Sequence, residues 1–438
     1  MTARGPYAEY KDSGVEWVGA VPNHWNLGQI RRFVEIVNGG TPTPDPENWE
    51  GPVAWATPVD LNAVDGRAIG STSRTLTEVG LASGSAAVPA GSVLLSTRAP
   101  IGYSALTTAR TAFNQGCKAM VPGRDLVPLF LLFLTQAAKH ELLRRGQGTT
   151  FLELSTGALA STEVPLPSSP EQLQIASFLD RETAEIDAFI ADQEELIGLL
   201  AERRAATISH AVTNGLDPNV PMKDSGVEWL GEVPASWAVR AIRTISQVKR
   251  GASPRPIDDP VYFDDEGHWA WVRIQDVTAS QGLLLETAQR LSELGASLSV
   301  KLSPGALFLS IAGSVGKPCI SGIPCCIHDG FVYFPKLDDL LGRFLFRVFE
   351  SGQPFRGLGK MGTQLNLNTD TVGGVSVAVP SGDEIQEILI ALDIALVELD
   401  AAIADAREAI SLSRERRAAL ISAAVTGKID VREHGAVK

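Results

Sequence analysis

The chain has 438 residues, 44% of them hydrophobic and 6% aromatic, with a formal net charge of −13. That length predicts two to four ordinary globular domains. No run of about 18 apolar residues occurs, so no membrane span is expected, and the N-terminus lacks the apolar core of a signal peptide; a cytoplasmic protein is expected.

Taken in chain order, the first feature is a lead, Lys11 to Trp25 (KDSGVEWVGAVPNHW), which returns at Lys223 to Trp237 as KDSGVEWLGEVPASW with 11 of 15 positions identical. The repeat continues beyond it. Trp55 and Asp60 match Trp271 and Asp276, while Gly91, Ser96 and Gly102 match Gly305, Ser310 and Gly316. Gln115-Gly116 matches Asp329-Gly330, and Glu202 to Ala206 matches Glu415 to Ala419. The chain is therefore two copies of one module, each in the order lead, globular part, long helix. The boundaries are 1–165 for the first globular domain, 166–221 for its helix, 222–380 for the second domain and 381–438 for its helix.

Each globular part reads as mixed α/β. Short β-rich runs lie at 53–56, 92–96 and 118–121, and again at 269–272, 306–310 and 331–334, separated by Gly- and Pro-rich turns. Amphipathic helices are expected at about 127–145 and 337–350. The first long helix is expected from Pro170 to Thr213, with Ser169 as N-cap and Pro170 as first helical residue. The second should run from Asp383 to Thr426 with Ser381 as cap, and Gly215 and Gly427 stand at the C-terminal stops. The second helix carries a heptad through Leu392, Leu396, Leu399, Ile403, Ile410 and Ser413, and a shift of 213 gives Leu179, Thr183, Ile186, Ile190, Ile197 and Leu200 in the first. That is a coiled-coil seam. At about 1.5 Å per residue each helix is about 66 Å long, and its economical partner is the other helix, antiparallel. Two unrelated surface helices on two cores are the alternative. Gln193, Arg204 and Thr207 interrupt the seam of the first helix, and Arg204 and Arg417 either fix the register or lie at frayed ends. The fold expected is a pseudo-two-fold tandem repeat of two α/β (α+β) domains joined by two long antiparallel helices. The first lead should then sit beside the end of the second helix.

Charge follows the same division. Residues 166–221 hold three basic and ten acidic residues, and 381–438 hold seven and eleven. The globular parts are near neutral, with 13 basic against 14 acidic in 1–165 and 15 against 16 in 222–380. An acidic rod repels a duplex but suits another protein.

Signs of catalysis are weak. Gly313 to Lys317 resembles part of a phosphate loop but has Ile311 where the first Gly belongs and Pro318 after the Lys. There is no HExxH, and Asp258, Asp259, Asp264, Asp265 and Glu266 read as a hydrated acidic loop. The four cysteines lack metal-site spacing and read as structural thiols. Binding chemistry is better represented. The first copy's loops hold Thr41, Thr43, Ser96, Thr97, Arg98, Asn114, Gln115, Thr149 and Thr150. Those of the second hold Arg250, Ser253, Arg255, Arg273, Gln275, Ser310, Lys317, His328, Arg356, Lys360, Thr363, Gln364 and Asn366. Arg reads guanine edges, Asn and Gln read adenine, and Ser, Thr and Lys suit phosphates.

Two variable domains, each followed by a similar long helix, resemble the specificity subunit of a type I restriction–modification enzyme. The resemblance rests on KDSGVEWxGxVPxxW, on Asn38 to Pro42 with Arg250 to Pro254, on the helix openings Pro167 to Asp180 and Pro380 to Asp393, and on the Glu-Arg-Arg-Ala-Ala and Ala-Val-Thr closings. It spans essentially the whole chain. It implies a non-catalytic, DNA-binding subunit whose target-recognition domains each read one half of a bipartite, asymmetric double-stranded site. The paired helices would act as a spacer ruler; a duplex turn is about 34 Å, so helices of about 66 Å are long enough to reach successive major-groove faces. It further implies two methyltransferase subunits, which carry S-adenosylmethionine and methylate adenine, and a translocase–nuclease subunit for restriction, with no cofactor in this chain. A coiled-coil scaffold presenting two ligand-binding domains to a partner other than DNA is the competing reading. A third is a degenerate nuclease.

Overall fold

The structure, a computed structural model, describes residues 6–98, 100–148, 152–356 and 367–432. The chain divides into two compact units, one of residues 1–194 with 408–438 and one of residues 195–407. The boundaries therefore cut both long helices, Ser169–Asn214 and Gly382–Val425, and each unit holds one globular copy with half of each helix. The sequence repeat instead assigns one whole helix to each copy.

The first unit contains a five-stranded sheet in the order Val34–Asn38, Cys117–Pro122, Val93–Thr97, Ile101–Thr107, Arg67–Ile69. Its second sheet runs Arg74–Leu76, Trp49–Ala56, Thr111–Phe113, Ala86–Val88. Val93, Leu94 and Leu95 are all fully buried, which explains why this strand is an unbroken apolar run rather than an alternating one. The second unit has the same two sheets. The larger runs Lys249–Arg250, Phe331–Tyr333, Leu307–Ser310, Pro318–Ser321, Leu283–Leu284, and the smaller Gln289–Leu291, Trp269–Val272, Cys325–Ile327, Val300–Leu302. The stretch at 127–145 forms two short helices, Pro128–Ala137 and Lys139–Arg144. Its counterpart, Asp339–Glu350, is one helix capped by Asp338, whose carboxylate accepts the Leu341 N–H at 2.9 Å.

The seam follows the heptad. In the first unit Leu179 and Ile186 from one helix and Ile410 and Ala424 from the other are buried, with Ile190 half-buried. In the second unit Leu392, Leu396 and Ile403 are buried and Ile197, Leu200 and Leu399 half-buried. The helices run antiparallel within each unit. Asp187 faces Arg417 at 2.9 Å and Glu194 faces Arg414 at 3.0 Å in the first, and Arg204 faces Asp400 at 2.8 Å in the second. Arg204 and Arg417 are thus paired, not frayed. Each also reaches a helix of the globular copy in its own unit, Arg204 to Glu350 at 3.0 Å and Arg417 to Gln136 at 3.1 Å.

One cap differs from expectation. The first long helix begins a residue earlier, at Ser169, so Ser168 holds the cap position and its carbonyl accepts the Gln172 N–H. The Ser169 hydroxyl instead donates to the Asp125 carbonyl at 3.2 Å. Ser381 does cap the second helix, accepting the Glu384 N–H at 3.3 Å. Gly215 and Gly427, at φ +75° and +74°, stop the helices in the left-handed region where a side chain would be strained.

The repeated heptapeptide builds the same knot twice. Lys11 Nζ donates to the Trp25 carbonyl at 2.6 Å, and Lys223 Nζ does so to that of Trp237 at 2.6 Å. Asp12 and Asp224 each accept the N–H of the following Gly14 or Gly226 at 2.9 Å, with both glycines at φ +68°. Ser13 and Ser225 accept the N–H of Val15 and Val227. The indoles of Trp17 and Trp229 donate to the carbonyls of Glu163 and Ser376, just ahead of the long helices. Trp25 and Trp237, fully buried, pack beside helix ends. The first lead meets the end of the second helix, where the Tyr10 hydroxyl donates to the Gly427 carbonyl at 2.9 Å.

Candidate nucleic-acid interface

In the first copy, register brings three loops to one end of the larger sheet. Asn38 pairs with Lys118, and Ser96 with Cys117. The chain leaving Asn38, the turn Asn114–Gly116 and the loop after Thr97 therefore emerge side by side. Close approach of two backbones holds them there. A Cβ on Gly39 would lie 2.0 Å from the Asn114 carbonyl oxygen, so only glycine fits. The Thr41 hydroxyl donates to Gln115 Oε1 across this gap. Asn114 Oδ1 accepts the Gly116 N–H at 3.0 Å and shapes the turn.

The second copy repeats the arrangement with other side chains. Arg250 pairs with Val332, and Ser310 with Phe331. A Cβ on Gly251 would lie 2.2 Å from the His328 carbonyl oxygen. The Ser253 hydroxyl donates to Asp329 Oδ1 at 3.0 Å, and Arg255 Nη2 to Asp329 Oδ2 at 2.9 Å. Arg250 Nε donates to the Asp329 backbone carbonyl. Burial works to raise the Asp329 pKa, but the Ser253 hydroxyl and the Arg255 and Arg250 guanidiniums outweigh it and hold it below its ordinary value. The His328 ring packs against Phe331 and Trp271. Its burial pulls its pKa below the ordinary value, against the opposing pull of Asp329 and with help from Arg273.

The structure sorts the other sequence-derived residues. Ser96, Thr97 and Ser310 are not at the surface. Ser96 Oγ donates to the Pro100 carbonyl and accepts the Tyr103 N–H. Thr97 Oγ1 donates to the Gly116 carbonyl, and Ser310 Oγ accepts the Lys317 N–H. These hydroxyls shape the loops and are spent on backbone, a correction forced by satisfying buried polar groups. Arg98 is exposed and pairs with Glu153 at 2.8 Å. Thr43 lies apart, holding Asn48 and Trp49 through its carbonyl. Gln275 is exposed on the helix Ile274–Ala279, and Lys317 Nζ donates to the Thr278 carbonyl at 3.3 Å on that helix. Arg273 is half-buried immediately before the helix, and Arg356 is exposed. Thr149, Thr150, Lys360, Thr363, Gln364 and Asn366 lie outside the described residues.

Two groups escaped the sequence reading. Asp329 is the hub of the second copy's loops, and its alignment with Gln115 was the available signal. Lys118, buried, donates to Asn38 Oδ1 at 2.8 Å, and Thr156 donates to the same oxygen at 2.8 Å. Burial lowers the Lys118 pKa and Glu153 opposes the shift. A lysine within a β-run carries no sequence signal for this role.

Elsewhere the chemistry is structural. All four cysteines are buried and unpaired, and burial pushes the Cys117, Cys325 and Cys326 thiols up to about 12 and that of Cys319 to about 11. Among the described residues, no group of three or more His, Cys, Asp or Glu is placed to hold a metal ion, and no helix is long and apolar enough to cross a membrane.

The family model for the type I restriction modification DNA specificity domain matches residues 22–196. The type I restriction enzyme MjaIX specificity subunit of Methanocaldococcus jannaschii is 29% identical over 294 residues, 65% of this chain and 64% of that protein. The chain thus spans a little under two thirds of that relative's length. A chain solved in work on complex assembly and conformational transition of the type I R-M system shares the fold, with a TM-score of 0.66 and 18% identity over 92% of this chain and 98% of that one.

Proposed function

Because the family model for the type I restriction modification DNA specificity domain matches residues 22–196, we propose that the chain is a member of the type I restriction–modification specificity family, that it selects the DNA site of such a system and that it leaves the chemistry to other subunits. Each copy reads one half of a bipartite, asymmetric site on double-stranded DNA. The long helices set the gap between halves and dock two methyltransferase subunits, which supply S-adenosylmethionine and methylate adenine. A translocase–nuclease subunit adds restriction.

The observation that carries this reading is one topology built twice with one loop scaffold and different side chains at its tip. Thr41 meets Gln115 in the first copy, where Ser253 meets Asp329 with two arginines in the second. A palindrome would call for matching tips; these differ in hydrogen-bonding character and charge. The charge distribution also favours it. Acidic helices repel phosphate and suit protein partners, and near-neutral domains leave much of the electrostatic affinity to those partners.

The test is to assemble the chain with methyltransferase subunits of its own host and map methylated adenines across a genome. A single bipartite motif with unlike halves and a fixed gap is expected. No motif, or a palindrome, overturns the reading. The chain alone should bind DNA more weakly than the assembly at equal salt.

A further inference from the structure

We propose that the paired loop tips are the base-reading positions of the two copies, and that they read different bases: Gln115, braced by Thr41, reads an adenine, and Arg255, braced by Asp329, reads a guanine. This rests on the function proposed above and assigns it to particular side chains.

The two positions are equivalent by construction. In each copy a hydroxyl residue two positions after the close-approach glycine donates to the residue just before the glycine of the facing turn. The scaffold is constant, yet the acceptor is an amide in one copy and a carboxylate in the other. A carboxylate has no N–H to offer a base edge and repels the phosphates around it. Its use here is to hold cations. Arg255 has its side chain 68% exposed and gives one N–H to Asp329. A guanidinium has five. Its backbone is fixed as well, since the Tyr262 hydroxyl donates to the Arg255 carbonyl at 3.0 Å. A long exposed arginine loses rotamer freedom when it binds, and one already oriented by a carboxylate loses less. The bidentate match of such a fork is guanine O6 and N7. In the first copy the Thr41 hydroxyl takes one lone pair of Gln115 Oε1. The second lone pair and the two N–H of this exposed side chain remain, which is the pattern that pairs with adenine N6 and N7.

The experiment uses the assembled methyltransferase complex and reads the methylated motif together with initial methylation rates on oligonucleotide duplexes. The wild-type complex is measured first, and a missing bipartite motif there defeats the function proposed above, not the assignment of residues. Given that motif, Arg255→Lys should relax one guanine in one half by roughly tenfold to a hundredfold, with the other half and the gap unchanged. Lysine keeps the charge but not the fork. Asp329→Asn should relax the same position, and the double variant should be no worse than either single, as expected when one residue acts through the other. Gln115→Ala should relax one adenine in the opposite half by a similar factor. Overturning results are an unchanged motif in Arg255→Lys and Gln115→Ala, or a uniform loss of rate over all sites, which marks a phosphate contact.

Discussion

The leads and the loop tips of the two copies differ in how closely the copies agree. In the leads, equivalent bonds recur residue for residue. Lysine to tryptophan carbonyl is 2.6 Å in both, aspartate to glycine N–H 2.9 Å in both, and both indoles reach the backbone ahead of a long helix. At the loop tips only the glycine approach and one side-chain hydrogen bond persist, and the chemistry around them differs. A position whose side chain is bonded to a fixed backbone group tolerates few replacements. A loop whose scaffold is held by backbone contacts can change its exposed side chains at little cost in stability.

The sharpest way to break this comparison is at the shared constraint. Gly39→Ala and Gly251→Ala place a methyl far inside van der Waals contact with carbonyl oxygens, at 2.0 and 2.2 Å. Each should lose about 3 kcal/mol in urea denaturation. A loss below about 1 kcal/mol in either would show that the close approach is not a common frame. Next come the seam arginines. Arg204→Met leaves two carboxylates, Asp400 and Glu350, whereas Arg417→Met leaves Asp187 and a neutral amide. We expect losses of about 2 and about 1 kcal/mol respectively. Glu350 retains Arg347 at 2.7 Å, which limits the difference. Equal effects would mean that the carboxylate on the globular copy adds nothing.

The smallest contrast lies inside the leads themselves. Trp237 Nε1 donates to Glu384 at 2.8 Å. The equivalent carboxylate of the first copy, Glu171, takes the Tyr7 hydroxyl at 2.9 Å and stands 3.1 Å from His24 Nε2, and Trp25 Nε1 is buried with no partner among the described residues. Trp237→Phe should therefore cost about 1 kcal/mol more than Trp25→Phe. Calorimetric melting of both variants decides it, and a larger cost at Trp25 would show that its indole N–H is satisfied in solution.

Much of the architecture was legible because its signals are local. A heptad states its own buried face: the residues from Leu179 to Ile410 assigned to the seam are all buried or half-buried, and β-rich runs sit where strands form. Repetition added domain order, since a segment that recurs must fold the same way twice. The sequence by itself therefore determined two copies of one topology, two long helices and their shared register. Only tertiary structure decided which loop residues meet. Thr41 and Gln115 are 74 positions apart and Ser253 and Asp329 are 76, and no local pattern reports a contact at that distance. The same holds for burial of short polar residues. Ser96, Thr97 and Ser310 look like surface hydroxyls by composition, yet they lie at sheet ends where backbone groups need partners. Arg204 and Arg417, ambiguous in a heptad, became register pins only once the acids facing them were in place.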